Sequence, residues 1–312
     1  MDLRQLRYFV QIVESGSFAK ASRTLFIAQP ALSQQIAKLE AEVGKSLLNR
    51  SAKGVMPTEN GLALYHHARF MLRQLNQALV IARQESGEIR GMVSLGLPAT
   101  TLSAMGFPLV HNVRARYPGI LLNVVEGMSG HLAQMMRLGQ LDLAVLFSPD
   151  ALTDAPATEL LEEELFVLLP ADSALVAKRR TSITLVEAAR LPLILPTGAH
   201  GLRRRVSAEF EQRSLVPQVV AEIDSLSLLM HCVREGMGAT IKPMSALPQG
   251  DEPGRRWRAL AISDAHIKRR NYVYSMAPNL LSPAAAAVAG ELRETARGLV
   301  ERGVWRGVAL LD

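Results

Sequence analysis

The stretch SFAKASRTLFIAQPALSQQIAKLEAEV, Ser17 to Val43, leaves little freedom to whatever folds around it. It reads as two helices with almost nothing between them. Successive helical residues lie about 100° apart, so faces follow directly from the sequence. In the second helix Leu32, Ile36, Leu39 and Val43 share one narrow arc that is expected to be buried. Opposite lie Pro30, Gln34, Ala37, Lys38 and Ala41, with Ser33 on the flank. Most solvated helix faces are dense in Glu and Lys, whereas this one is made of small residues with Gln, Ser and Lys. Small residues let a backbone approach another surface, and Gln and Lys hydrogen-bond base edges or phosphates. The first helix, Phe18 to Leu25, turns Phe18, Ala21, Ser22 and Leu25 inward, and Ser17 suits its N-cap although Lys20 cannot close a capping box. Phe26, Ile27 and Ala28 suffice only for a tight turn, and Pro30 fits the first turn of the next helix. Two short helices, a tight turn and a contact-ready second helix make a helix-turn-helix. The pattern alone serves an all-α bundle as well as a DNA reader, and the flanks separate the two.

Before it, residues 2–14 place Leu3, Leu6, Phe9, Val10 and Val13 at helical spacing behind Asp2. After Gly44, two short apolar runs, Leu47–Arg50 and Val55–Thr58, flank Ser51-Ala52-Lys53-Gly54 and read as a β-hairpin wing. Lys53 at its tip is either a minor-groove or phosphate contact or an ordinary solvated lysine. Thr58 then caps a helix expected to run uninterrupted from Glu59 to Glu88, about 45 Å long. Leu64, Ala68, Met71, Leu75, Ala78 and Ala82 recur at heptad spacing along it. A rod of that length outreaches one small winged domain, so its seam points to a second copy of the chain; an intramolecular bundle helix is the alternative. A homodimer would set two reading helices a fixed distance apart on DNA.

Charge agrees with this division of labour. The 312-residue chain carries a formal +6 and a sequence pI near 9.7, and residues 1–60 hold eight Lys/Arg against five acids, half the excess in a fifth of the length. The lone Cys232 excludes a disulfide framework. No basic-then-apolar leader and no apolar run near 18 residues is present, so a cytoplasmic protein with no membrane partner is expected.

The ordered set Ala21, Leu25, Gln29-Pro30-Ala31, Ser33, Ile36, Leu39-Glu40, Gly44, Leu47-Leu48, Arg50, Pro57-Thr58 and Gly61 resembles the DNA-binding segment of LysR-type transcriptional regulators. Within that family, IAQPALSQQ and GVMPTENG are most similar to the nitrogen assimilation control branch. The resemblance implies a winged helix-turn-helix, a linker-helix dimer and a two-lobed effector domain, assembled as a homotetramer that binds double-stranded promoter DNA and works with RNA polymerase. It places base contacts at Gln29, Pro30, Ser33 and Gln34; Lys38 on the outer helix face, and Arg50 and Lys53 in the wing, are the further expected DNA contacts. Many relatives carry Arg where this chain has Gln34, which favours adenine over guanine.

Beyond Gly91 short β-branched runs alternate with helical patterns, the texture of βα units with parallel sheets. Strands are expected at 92–97, 121–126, 141–147, 165–169, 193–195, 219–223, 239–241, 258–262 and 270–275, with a closing helix at 283–302. The resemblance continues through Arg116-Tyr117-Pro118, Leu138-Gly139, Leu141-Asp142-Leu143-Ala144, Glu235-Gly236-Met237-Gly238 and Lys242-Pro243, so it covers essentially the whole chain. It implies a fold like periplasmic binding proteins, with strands crossing between lobes near 162–166 and 265–270. The expected architecture is therefore α+β and multidomain: a winged helix-turn-helix over 1–58, a linker helix over 59–90 and a two-lobed α/β effector domain over 91–312. Lobe I would take about 91–163 and 268–312, lobe II about 164–267.

In open α/β sheets ligands sit at the carboxyl ends of strands, against helix N-termini. Thr100, Thr101 and Ser103 follow the first strand, Ser129 the second, and Thr197 and His200 lead into a later helix. Each alone reads first as a structural N-cap; together they outline a cleft for a small anion. The family's effector residues carry over to Thr100, Thr101 and Ser129, and to Thr197 and His200. Some relatives near the nitrogen assimilation branch act without an effector, which would leave the cleft vestigial. No metal-ligand spacing joins the seven histidines, no cofactor loop is complete, and no nucleophile has a local base, so neither a cofactor nor an enzyme is expected. The rival reading is a small-molecule binding protein whose amino-terminal helices only oligomerise.

Overall fold

The computed structural model describes residues 1–51, 54–82, 89–153, 155–198, 200–247, 256–277 and 281–311. They fall into two compact units, Met1–Gly91 with Arg137–Gln140, and Met92–Met136 with Leu141–Asp312.

The first unit opens with α1 (Leu3–Ser15), which a capping box starts: Gln5 N–H donates to the Asp2 carboxylate at 2.7 Å and Asp2 N–H to Gln5 Oε1 at 3.0 Å. Then come α2 (Phe18–Leu25), capped by Ser17, and α3 (Gln29–Val43). Phe26, in the left-handed region at φ 55°, turns the chain between them. The wing is an antiparallel pair, β1 (Leu48–Ser51) and β2 (Gly54–Pro57). Thr58 follows: its hydroxyl donates to Ser46 O at 2.8 Å and accepts from Gly61 N–H at 3.0 Å, so it starts α4 (Glu59–Ala82) and ties it to the wing. Gly61 is required here, because a Cβ would lie 1.9 Å from the Leu47 carbonyl oxygen.

The core of this unit gathers Phe9, Ile12, Phe18, Ala21, Leu32, Ile36, Leu39, Leu47, Leu48 and Val55. Two expectations change. Val43 is 40% exposed: it is the last residue of α3, and Gly44 turns the chain away before anything can cover it. Ser22 and Leu25 are only half-buried. The heptad seam is also divided. Ala68 is fully buried against Leu6 and Val10 of α1, with Leu64 and Met71 packed on the same cluster, whereas Ala78 and Ala82 are exposed. Ala68 is thus spent within its own chain and is not available to a second copy. The helix is described to Ala82; the expected continuation over 83–88, like the wing tip with Lys53, lies outside the described residues.

The second unit runs β3 (Gly91–Leu97), α5 (Ala99–Arg116), β4 (Ile120–Glu126), α6 (Ser129–Arg137), β5 (Leu143–Leu146) and β6 (Ala157–Pro170). It continues with β7 (Ser182–Ile183), α7 (Leu185–Ala189), β8 (Leu193–Leu195), α8 (Gly201–Gln212), β9 (Val219–Glu222) and α9 (Leu226–Arg234). Last come β10 (Thr240–Pro243), β11 (Trp257–Ile262), β12 (Lys268–Ser275), α10 (Pro283–Glu301) and β13 (Val308–Leu310).

Its spine is β6. The main sheet has the order β4-β3-β5-β12-β6-β11-β7, with β10 and β13 also on β6 and β8-β9 as a separate pair. The first half of β6 pairs with β12 and β13, and the second half with β10 and β11, so the strand crosses from one lobe to the other. Among the described residues parallel pairing joins β3 to β5, β7 to β11 and β8 to β9, with a parallel bridge between Leu193 and Ala239. The expectation of parallel sheets therefore fails at the spine, where every partner of β6 is antiparallel because the chain crosses and returns. β6 starts eight residues before the expected Leu165. Its first half, rich in glutamate, hides the alternation, and is matched by base opposite acid: Lys268 Nζ to Glu162 at 2.8 Å, and Arg270 to Glu159 at 2.9 Å and to Glu162 at 3.2 Å. One lobe packs α6 on β5 and β12 through Leu132, Met136, Leu146, Tyr272 and Tyr274. The other has a core on each face of its strands, around Phe210 with α7 and α8, and around Trp257 with α9. Among the described residues no helix is long and apolar enough to cross a membrane.

Candidate nucleic-acid interface and inter-lobe cleft

The outer face of α3 takes shape from what its inner face must bury. With Leu32, Ile36 and Leu39 fully buried, Gln29, Pro30, Gln34, Ala37, Lys38 and Ala41 are left exposed. None of these six is acidic, and Glu42, one turn beyond Lys38, is the exposed acid that borders them. Ala28, the N-cap, offers no side chain to the first-turn N–H groups, so they remain available to an anion. Ser33 is half-buried, and its hydroxyl accepts from Arg50 at 3.1 Å. The Arg50 guanidinium also lies 4.5 Å from the centroid of the Phe18 ring. A wing residue is thereby held beside the reading helix by α2 and α3 together. The sequence reading assigned Ser33 and Arg50 separate tasks; the structure couples them.

A second coupling was not anticipated. The Glu40 carboxylate accepts from Leu47 N–H at 2.8 Å and Leu48 N–H at 3.2 Å, tying the entry of the wing to α3. It is an acid on the flank of α3 whose carboxylate is spent on structural work.

Most of the candidate cleft residues are already engaged with partners of their own. Thr100 and Thr101, on the first turn of α5, are 5% and 0% exposed. Thr100 Oγ1 accepts from Arg269 at 3.0 Å, and Thr101 Oγ1 donates to Asn271 at 3.4 Å. Ser129 Oγ accepts from Phe147 N–H at 3.3 Å. Thr197 gives its N–H and hydroxyl to Asp224, the hydroxyl at 2.9 Å. His200 caps α8, its Nδ1 accepting from Leu202 N–H at 3.2 Å. Ser103 is half-buried on the next face of α5.

Behind these hydroxyls sits a charged network that sequence reasoning missed. Glu163 is 1% exposed and accepts from Ser245 at 2.6 Å, Asn271 at 3.1 Å, Trp305 Nε1 at 3.3 Å and the Arg269 guanidinium. That guanidinium lies 3.7 Å from the Phe147 ring centroid. Burial pushes Glu163 up, but the Arg269 charge and these hydrogen bonds outweigh it and hold the carboxyl below its usual range. Burial, then the Lys242 and Arg269 charges, take His200 down to about 4. Burial and then Arg269 bring Lys242, 3% exposed on β10, down to about 8.

A signal for part of this network existed. In Lys268-Arg269-Arg270-Asn271 the strand period of two puts Arg269 and Asn271 on one face, away from the exposed Lys268 and Arg270. Without knowing that 157–164 is a strand in register with it, the run reads only as a basic surface. Trp305, in a tail that carried no sequence reading, is 4% exposed and sealed against Glu163.

Comparison with known proteins reaches both units. Residues 3–62 match the family model of the bacterial regulatory helix-turn-helix protein, lysR family, and residues 86–297 match that of the LysR substrate binding domain. The chain is 38% identical over 289 residues to the nitrogen assimilation regulatory protein nac of Klebsiella aerogenes, covering 92% of this chain and 93% of that protein. It is 37% identical over 247 residues to the nac protein of Escherichia coli (strain K12), covering 79% of each. In fold it is similar to a full-length OxyR variant from Pseudomonas aeruginosa, with a TM-score of 0.71 and 23% identity over 95% of this chain and 98% of that one. It is similar too to full-length CbnR in complex with its target DNA, with a TM-score of 0.69 and 19% identity over 95% of this chain and all of that one.

Proposed function

The chain belongs to the LysR family of bacterial transcriptional regulators, and from that premise we propose that it reads an interrupted palindrome in promoter DNA through the outer face of α3 and reports on a small anionic metabolite held between the lobes of its effector domain. The observation that carries the reading is the exposed face of small and uncharged polar residues with Lys38 on α3, with Arg50 latched beside it through Ser33. Gln29, Pro30, Ser33 and Gln34 meet base edges, while Lys38, Arg50 and Lys53 meet the backbone or the minor groove. The division is 1–58 for DNA, 59–90 for association and 91–312 for the effector. Leu75, Ala78 and Ala82 carry the outer part of the seam that joins two copies, and two such dimers form the DNA-bound homotetramer. Thr100, Thr101, Ser103, Ser129, Thr197 and His200 line the effector site. The working protein is cytoplasmic, engages RNA polymerase and performs no catalysis.

The test is a footprinting titration on the chain's own upstream region at several salt concentrations, with Gln34→Ala alongside. Loss of a bidentate base contact costs about 1–3 kcal/mol at the cognate site and relaxes preference there. Unchanged sequence preference in Gln34→Ala refutes that role. Binding indifferent to sequence moves weight to the small-molecule binding protein. The relatives named for nitrogen assimilation make nitrogen-linked promoters the next set to footprint.

A further inference from the structure

Within the effector domain, β10 carries two buried polar groups that have no hydrogen-bond partner among the described residues. Lys242 is 3% exposed, and its ammonium has no hydrogen-bond or ion-pair partner among the described residues. Thr240, two residues earlier, is fully buried and its hydroxyl is also unpartnered. Residues i and i+2 of a strand share a face about 7 Å apart, so both groups address the same side of β10. Register against β6 sets Thr240 opposite Leu168 and Lys242 opposite Phe166, which places the ammonium at the end of β10 nearer the strand's crossing point.

A buried cation is ordinarily paired, because stripping its water without an anion is costly. The carboxylates nearby spend their hydrogen bonds on other groups, although the Asp224 charge does act on Lys242. Glu163 serves Arg269, Ser245, Asn271 and Trp305, and Asp224 is held by Thr197. Arg269 adds a second positive charge felt by Lys242, and His200, also within its field, is held neutral. Around Lys242, then, lie one further cation, a neutral imidazole and the Asp224 carboxylate, whose charge acts on Lys242 while its hydrogen bonds go to Thr197.

We propose that Lys242, with the Thr240 hydroxyl on the same strand face, is the anchor that selects a small oxyanion, a carboxylate or a tetrahedral oxyanion, as the ligand of the inter-lobe cleft. This rests on the reading of that cleft as an effector site and assigns its selectivity to residues outside the hydroxyl set. The lowering of Lys242 to about 8 leaves it charged at neutral pH and accords with an ammonium waiting for a counter-ion.

The test uses the full chain and follows thermal stabilisation and calorimetric binding of malonate, sulfate and neutral malonamide, for the wild type, Lys242→Met and Thr240→Val. Malonate or sulfate is expected to bind, with affinity falling about ten- to a hundredfold in Lys242→Met, the effect of one charge-assisted hydrogen bond, and less in Thr240→Val. Whichever of the two binds names the oxyanion. Should Lys242→Met fail to fold, Thr240→Val decides alone. Wild-type affinity in these variants, or malonamide binding as tightly as malonate, overturns the assignment and leaves the cleft a ligand site of another chemistry. Binding of none of the three overturns the assignment and the anionic effector together, while operator footprints taken on the same samples report the DNA-binding reading separately.

Discussion

Glu163 shows how much one side chain can organise. It draws a guanidinium, an amide, a hydroxyl and an indole into one buried cluster, with partners from β12, the turn after β10, and the tail. Removing one member of a buried ion pair leaves an uncompensated charge, so Glu163→Ala is expected to destabilise the effector domain by about 3–5 kcal/mol in urea unfolding. A wild-type midpoint would show the cluster to be incidental. His200 makes a second prediction through pH. Its folded value of about 4 lies below the ordinary 6.5, so the neutral ring's stabilisation is complete above 6.5 and is lost as pH falls towards 4. Across that window the wild type should lose stability more steeply than His200→Asn, which keeps an N-cap side chain but does not titrate. Parallel slopes would sink the idea. On the proposed DNA-binding face, Arg50→Met should weaken binding evenly across sequences and flatten the salt dependence by about one counter-ion. A selective loss at one base pair would instead make Arg50 a reader.

At the scale of the element, α4 makes the most divided prediction. Its seam is continuous in sequence but serves two partners, α1 within the chain and, in the proposed dimer, the second copy. Ala68→Leu should overpack the α1–α4 contact and cost about 1–3 kcal/mol in the melting of the winged unit. Leu75→Glu with Ala78→Glu should leave that melting alone and shift sedimentation towards monomer. If Ala68→Leu alters only association, the division is wrong. Sequence periodicity reveals a heptad but not its partner, because α1 and a second copy demand the same apolar spacing. The α2 boundaries, by contrast, were legible to the residue, since a serine cap and a three-residue turn admit no other registration. β6 was half legible. Its apolar half announced itself, but the carboxylates of Glu159, Glu162, Glu163 and Glu164 hide a strand whose complement lies more than a hundred residues away. The candidate site divides the same way. Its exposed face on α3 follows from local helical geometry, whereas Lys242, Arg269 and Glu163 meet only once distant strands pair.

At the scale of the molecule, the change of partner along β6 sets what kind of movement the effector domain can make. Up to Glu164 the strand belongs to β12, and from Leu165 onward to β10 and β11, with Leu165 N–H donating to Ile267 O at 2.9 Å where the change occurs. A bend there would tear the ladder, while torsion along the strand axis would only shear it. In the proposed reading, a ligand between the lobes would be transduced as a change of twist, as in a torsion bar clamped at both ends. The moment it would deliver is angular, so a proposed partner subunit would receive a rotation and not an opening. In hydrogen exchange this predicts protected β6 amides with and without ligand; loss of protection at 163–166 on binding would mean that the bar breaks instead of turning.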